Sequence, residues 1–274
     1  MNNINFLDLA ANIGDTLVDI YESSIPKYKI KTITRNNKLV VVENKDDEES
    51  NKKVILELDP NTNIIGDSAF FQKTNLIGNL FLPNSIEEIG SFAFVACTGL
   101  TGKLIIPKNL KKISKFSFYG CSGFDELVLN DGLVYINGVA FQGCSNLSNE
   151  LILPQSLRFI ESGAFKDCTR LSGTLNIPGS VEILNTYSFH GCESLNKLVL
   201  NEGLRCIRDS VFHNCVNLKG DVVIPKSICS IGNNSFYNCR NIDRILMPKV
   251  NNDGDNIVLG SKWLAGCDAT VEFY

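Results

Sequence analysis

A phenylalanine recurs along this sequence at a step of about 24 residues, and this period constrains the fold more than any other feature. The eight positions are Phe70, Phe94, Phe118, Phe141, Phe165, Phe189, Phe212 and Phe236. A unit of this length is too short to bury its own apolar side chains, so neighbouring units must stack on one another. The period therefore predicts a solenoid in which equivalent residues form continuous ladders.

Each unit also contains a short apolar strand, such as Leu104-Ile105-Ile106, which in most units is closed by proline. Two units have Asn130-Asp131-Gly132 and Asn201-Glu202-Gly203 at that place instead, and these two units are one residue shorter than the others. Proline presets φ and glycine permits positive φ, so both sequences favour a turn. Unit lengths follow the order long, long, short, and the short units carry the glycine turn, so that three units make one larger repeat.

A cysteine follows the phenylalanine by three residues in all units but the first: Cys97, Cys121, Cys144, Cys168, Cys192, Cys215 and Cys239. Stacked strands lie about 4.8 Å apart, but their parallel side chains do not bring Cβ atoms to the roughly 3.8 Å of a disulfide. Zinc needs four ligands around one point, which a linear file does not offer. We interpret these residues as reduced thiols packed in the core, and expect Cys206 and Cys229 in the other strand to be more exposed.

The composition argues against several classes of function. Of the 274 residues, 20% are charged, and the net charge is −4. No basic stripe of the kind that binds nucleic acid is present. No apolar run approaches the roughly 20 residues of a membrane helix, and the first residues lack the features of a secretory signal. These features predict a soluble cytoplasmic chain that neither binds nucleic acid nor inserts into membranes.

The repeated pattern L-x-x-(x)-L-x-L-P-x-S-L-x-x-I-x-x-x-A-F-x-x-C, from roughly Leu56 to Val250, resembles the BspA-like, or treponemal-type, leucine-rich repeat. The resemblance implies a right-handed leucine-rich-repeat solenoid, which we class as α/β and β-rich, with about eight 23–24-residue repeats and capping ends. It implies binding to a protein partner, such as a host matrix or cell-surface protein, and carries no catalytic motif. Because it also implies surface display, cell surface and cytoplasm both stay open.

We predict three segments along the chain. Residues 1–54 form an N-terminal cap, with an amphipathic helix from about Asn5 to Glu22 and a hairpin around Asn36-Asn37. Residues 55–250 form the repeat solenoid, and residues 251–274 form a C-terminal cap. Caps of this kind would cover the core and the strand edges at the two open ends.

Alternation along the first strand of each unit predicts an outward-facing file. In Leu104-Ile105-Ile106 the middle residue points away from the core, and all its equivalents except Asn176 are apolar. A strand face in water usually carries polar residues there, so the file is a candidate binding face. The preference of β-branched residues for strands explains it equally well. The candidate partner-binding residues are Phe81, Ile105, Val128, Ile152, Val199 and Val223.

The second strand of each unit offers another candidate patch, formed by Tyr135, Phe159, Ile183 and Cys206. The two-residue length of this strand leaves the direction of these side chains open. Beside the patch runs a file whose neighbouring charges mostly oppose one another, as cross-strand pairing favours. Its members are Glu87, Lys111, Val134, Arg158, Glu182 and Arg205.

The chain has two histidines, His190 and His213, and each directly follows a repeat phenylalanine. Other units vary at this position, so we interpret both as exposed surface residues. The alternative is a weak metal-binding or pH-sensitive pair. The sequence has no nucleophile–base set, phosphate loop or four-ligand cluster, so we predict no catalytic residue, cofactor or metal. The predicted function is non-enzymatic protein–protein interaction or adhesion, as a monomer or weak homodimer. The alternatives are a self-assembling structural module and a metal-binding protein.

Overall fold

The computed structural model of the protein describes residues 53–274 as a parallel β-solenoid with two hydrogen-bonded strand faces. Strands are numbered along the chain. The first strands of the coils form the long-strand face: β1 (Val54–Ile55), β3 (Leu76–Asn79), β5 (Leu100–Ile105), β7 (Phe124–Val128), β10 (Gly173–Ile177), β12 (Leu195–Leu200), β14 (Gly220–Val223), β16 (Ile242–Met247) and β18 (Thr270–Phe273). The second strands form the short-strand face: β2 (Ile64–Ile65), β4 (Glu88–Ile89), β6 (Lys112–Ile113), β8 (Tyr135–Ile136), β9 (Phe159–Ile160), β11 (Ile183–Leu184), β13 (Cys206–Ile207), β15 (Ser230–Ile231) and β17 (Val258–Leu259).

The long-strand face is interrupted after β7 and after β12. In the coil that follows β7, Asn149 bonds the backbone of Leu127 with its side chain: its Oδ1 accepts from Leu127 N–H at 3.1 Å and its Nδ2 donates to Leu127 O at 3.1 Å. Asn149 occupies the place where other coils have a glycine with positive φ, such as Gly102 and Gly173. A side-chain amide therefore replaces a stretch of backbone ladder at this interruption.

The core consists of ladders of equivalent side chains, as the period predicts. The repeat phenylalanines are buried and stack on one another with ring centroids 5.0 to 6.0 Å apart. Stacked aromatic pairs of this kind contribute about 0.5–1.5 kcal/mol each beyond the area that they bury. The file of phenylalanines thus stabilises the junctions between the eight coils that carry it.

A third backbone ladder runs along the turns that carry these phenylalanines. Phe70 N–H donates to Ala93 O at 2.7 Å, and Gln72 N–H donates to Val95 O at 2.7 Å, and the pattern recurs along the solenoid. The residues two before and two after the phenylalanine have positive φ, for example 59° at Phe92 and 53° at Ala96. Left-handed backbone at non-glycine residues is strained, and the hydrogen bonds to the next coil hold it in place.

The described part of the chain extends beyond the eight phenylalanine units. Nine short strands are present in residues 53–274, and in the last coil Leu264 occupies the phenylalanine position and Cys267 the cysteine position. Strands β17 and β18 pair with β15 and β16 and so add this coil to both faces. The 251–274 segment thus contains strands that continue the solenoid.

The structure confirms the parallel repeat solenoid with the predicted spacing. Residues 53–274 contain no helix. Of the predicted N-terminal cap, residues 1–54, only the last two residues are described, so the predicted helix and hairpin lie outside the described residues. The right-handed coiling and the α/β class stay predictions. Among residues 53–274, no helix has the length and apolar character needed to span a membrane.

Candidate functional site

The outward residues of the long-strand face form one line across the coils, which we call the apolar file. Register places Ile105 beside Val128, Asn176 beside Val199 and Val223 beside Leu246. The members of the apolar file, in chain order, are Phe81, Ile105, Val128, Ile152, Asn176, Val199, Val223 and Leu246. The six candidate contact residues therefore lie together on one outer face, as strand alternation predicts.

Several members of the apolar file are widely exposed. The exposed fractions are 74% for Phe81, 67% for Ile152, 53% for Ile105 and 48% for Val223. Val128 and Val199 are half-buried. Exposure of several large apolar side chains along one line is unusual for a surface that faces only water. Whether these residues bind a partner stays a prediction.

A second line of outward residues, the polar file, lies two residues before the apolar file. Its members are Asn79, Lys103, Glu126, Glu150, Thr174, Lys197, Asp221 and Arg244. Lys103 Nζ lies 2.7 Å from Glu126 Oε1. Arg244 bonds Asp221 through Nε and Oδ1 at 2.9 Å, and its Nη1 lies 3.3 Å from Glu272 Oε2. Most of the charge on this face is thus neutralised within the chain.

These ion pairs depend on a register shift whose position sequence reasoning missed. Gly102 pairs with Phe124, but Lys103 pairs with Glu126, so the ladder passes over Asp125. The same shift after Gly220 pairs Asp221 with Arg244. The hydrogen bonds and charge of Arg244 lower the pKa of Asp221 from its ordinary value. The signal in the sequence was the glycine of the longer units, which carries positive φ.

The short-strand face carries the second apolar patch, and the structure settles its direction. Tyr135 and Phe159 stack with ring centroids 4.0 Å apart, and Phe159 and Ile183 are exposed. All of these side chains therefore point outward. The charges of Arg158, Glu182 and Arg205 suggested cross-strand pairing, but these residues form no ion pair with one another within residues 53–274. Arg205 instead pairs with Asp253 at 3.4 Å.

The two histidines are half-buried, which corrects the expectation that they are exposed. Their rings stack with centroids 4.6 Å apart, and His213 also stacks on Tyr237 at 4.7 Å. Neither Nδ1 has a hydrogen-bond partner among residues 53–274. Burial, with the charges of His213 and Lys166, lowers the pKa of His190 to about 4. No group of three or more His, Cys, Asp or Glu side chains that could hold a metal ion occurs in this part of the chain.

The cysteine file is a row of buried free thiols, as predicted. Each thiol of the file donates to the carbonyl of the phenylalanine in the preceding coil, for example Cys121 Sγ to Phe94 O at 2.9 Å and Cys168 Sγ to Phe141 O at 3.2 Å. Burial raises the pKa of the Cys97 thiol to about 12. A thiol that stays protonated is a poor nucleophile. The cysteine file therefore acts through its hydrogen bonds, which join neighbouring coils. Cys206 and Cys229 are part-exposed, as expected.

Comparison with known proteins agrees with this architecture. The family described as "BspA type Leucine rich repeat region" matches in six copies, over residues 8–101, 63–182 and 172–262. No curated protein sequence is significantly similar to the chain.

Solved structures of bacterial leucine-rich repeat proteins are similar in fold. One from Bacteroides ovatus superposes with a TM-score of 0.58 at 24% identity, over 80% of this chain and 65% of that protein. The leucine rich repeat protein of T. pallidum superposes with a TM-score of 0.53 at 25% identity, over 67% of this chain and 85% of that one. The chain thus spans somewhat less than two thirds of the B. ovatus protein. With repeat, fold and family match in agreement, the chain belongs to the BspA-type leucine-rich repeat family.

Proposed function

We propose that the chain is a non-enzymatic interaction module that binds a protein partner through the apolar file of the long-strand face. The observation that carries the proposal is the line of outward apolar side chains, interrupted only at Asn176, with Phe81 and Ile152 the most exposed. Covering such a side chain contributes on the order of 1–2 kcal/mol. A partner that spans several coils would therefore gain most of its affinity from this line.

The chemistry of the face favours a protein over other ligands. The chain is acidic overall, with a net charge of −4, which disfavours nucleic acid. Ion pairs such as Lys103–Glu126 leave little net charge on the polar file, so that a partner would be bound mainly through apolar surface. Proteins of the leucine-rich-repeat class are generally non-enzymatic interaction modules, and the family resemblance extends the proposal to adhesion to host matrix or cell-surface proteins.

A second candidate is the short-strand face. The stacked pair of Tyr135 and Phe159, followed by the exposed Ile183, forms a shorter apolar patch on the opposite strands. Aromatic side chains are frequent in the centres of protein interfaces. The patch covers fewer coils than the apolar file, so we rank it second.

Capture from lysate and from matrix extract with three baits tests both candidates. The baits are the original chain, a long-strand variant (I105D, I152D, V223D) and a short-strand variant (Y135D, F159D, I183D), each checked for folding by circular dichroism. We expect proteins captured by the original chain to be lost with the long-strand variant and retained with the short-strand variant. Loss with the short-strand variant alone would favour the second candidate and contradict the first.

A further inference from the structure

The long-strand face is complementary to itself, and we infer that its protein partner is a second copy of this chain, packed face to face in an antiparallel order of coils. The inference rests on the proposed function, because it uses the same face and names the partner. It follows from the order of residues along the two files and from their charges.

A homodimer with two-fold symmetry pairs each position of a surface with another position of the same surface. Suppose that the two-fold axis lies between the two facing copies and runs parallel to their strands. The axis then reverses the order of coils, and each file of one copy lies opposite the same file of the other copy. The first position of a file in one copy then faces the last position in the other. Over the coils from β3 to β16 both files have eight positions, from Phe81 to Leu246 and from Asn79 to Arg244. One coil further at each end, the apolar file continues to Glu57 and to Glu272, which lies beside Leu246.

The polar file is complementary when the axis passes midway between its fourth and fifth positions. Lys103 and Asp221 also have ion-pair partners within their own chain, Glu126 and Arg244. Across the axis Lys103 of one copy then faces Asp221 of the other, and Glu126 faces Lys197. Since the axis is two-fold, each of these pairs occurs twice. The remaining charges of the file, at its fourth and eighth positions, each face a neutral residue. No like charges of the polar file therefore meet in this register.

The neighbouring registers are unfavourable. Sliding one copy by one coil in one direction brings Lys103 opposite Lys197, and Glu150 opposite its own equivalent. Sliding by one coil in the other direction brings Lys103 opposite Arg244, and Glu126 opposite Asp221. Like charges that face one another at an interface oppose association. The charge order thus selects one register over both of its neighbours.

The same register also matches the apolar file. Apolar side chains face apolar side chains at three of the four kinds of position, and Asn176 faces an isoleucine at the fourth. The resulting pairs are Phe81 with Leu246, Ile105 with Val223, Val128 with Val199, and Ile152 with Asn176. The most exposed side chains of the apolar file are thereby covered, while at each end Glu57 of one copy faces Glu272 of the other.

The size of the face indicates the strength of the association. Eight coils spaced about 4.8 Å apart, with strands of about five residues, give a footprint roughly 34 Å long and roughly 16 Å wide. That is on the order of 500 Å² per copy, below the roughly 800 Å² of a standard interface. We expect a reversible dimer with a dissociation constant in the micromolar range.

Sedimentation of charge-swapped chains tests the arrangement. In this register E126K alone and K197E alone each place two like-charge pairs across the axis, so each should weaken self-association on the order of tenfold or more. In an equimolar mixture of the two variants each new charge faces its opposite, so the mixture should dimerise again. K112E, an equal charge change on the exposed short-strand position Lys112, should leave the dimer unchanged.

A second swap keeps the test independent of one variant's folding. K103E alone and D221K alone should each weaken self-association, and an equimolar mixture of the two should restore it, as for E126K and K197E. Circular dichroism and thermal melting check the folding of each variant. Failure of both mixtures to restore a dimer that the single changes abolish would overturn the antiparallel register.

Two outcomes separate this inference from the proposed function. An original chain that stays monomeric at about 200 µM would overturn self-association, whereas the capture experiment, which needs no dimer, would still decide whether the face binds another protein. A dimer that K112E disrupts and the swaps do not would place the contact on the short-strand face and overturn the inference, and the capture experiment would again decide the proposed function by itself.

Discussion

At the scale of single residues, the repeated side chains act chiefly between coils. The cysteines were predicted as core packing from their spacing, but their hydrogen bonds to the preceding phenylalanine carbonyls, such as Cys168 to Phe141 O, were not. A linear pattern shows which residues stack and does not show where a thiol hydrogen points. The histidines illustrate the same limit, because variation between units predicts an exposed position, whereas stacking half-buries both rings.

The histidine pair predicts a pH dependence of stability. Burial lowers the pKa of His213, and burial with the His213 and Lys166 charges lowers the pKa of His190 to about 4. An unfolded histidine titrates near 6.5, so between about pH 6.5 and 4 the unfolded chain binds protons that the folded chain does not. We expect the unfolding free energy to fall through this window, on the order of 1 kcal/mol by pH 5 because both rings are partly exposed.

Urea unfolding at pH 7 and pH 5 measures this effect. The double variant H190Y/H213Y is a suitable comparison, since Tyr119 and Tyr237 occupy the same position in other coils. We expect the variant to lose less stability than the original chain between the two pH values. Equal losses would show that other groups titrate in this window and that the histidine pair does not contribute.

At the scale of elements, the face is built from strands whose register shifts at a glycine. The extra residue of the longer units adopts positive φ in Gly102, Gly173 and Gly220, and the ladder passes over one residue of the next strand there. Asn149 replaces this glycine in one coil and bonds the backbone of β7 with its side chain. The elements are therefore joined by a few specific contacts as well as by their regular ladders.

The replacement of Asn149 by alanine tests its structural role. N149A removes two hydrogen bonds to Leu127 and leaves both backbone groups without that partner. We expect the unfolding free energy to fall by about 1–2 kcal/mol. N146A is the matched control, since Asn146 is exposed and contacts Arg170 only at 3.4 Å, and should cost less than about 0.5 kcal/mol. Equal costs, measured by urea unfolding, would contradict the role of Asn149.

At the scale of the whole molecule, stability comes from contacts between neighbouring coils. Each central coil is bonded to a coil on either side, whereas β17 and β18 pair on one side only within residues 53–274. In a solenoid of this kind, stability is approximately a sum of unit terms and nearest-neighbour terms. The coils at the edge of the described solenoid should therefore open more readily than those at its centre.

Amide hydrogen exchange read by mass spectrometry tests this gradient. We expect the greatest protection in β8, β9 and β11, and protection at least tenfold lower in β17 and β18, since opening the last coil breaks one junction and opening a central coil breaks two. Uniform protection from β8 to β18 would show that the solenoid opens as one cooperative unit.

The sequence by itself determined the solenoid, its core and the outward direction of the apolar file. A regular step of about 24 residues forces equivalent side chains into ladders, and alternation along a strand assigns each residue to a face. The buried phenylalanines and the exposed Phe81 and Ile105 follow from these two rules.

Only the tertiary structure decided at which residue the ladder between coils changes its register. Regular counting from Gly102 sets Lys103 beside Asp125, and from Gly220 it sets Asp221 beside Asp243. The register shift instead pairs Lys103 with Glu126, and Asp221 with Arg244. The physical reason is that a positive-φ glycine lets the ladder pass over one residue. Periodicity does not encode this local change, and the charge pattern of the long-strand face depends on it.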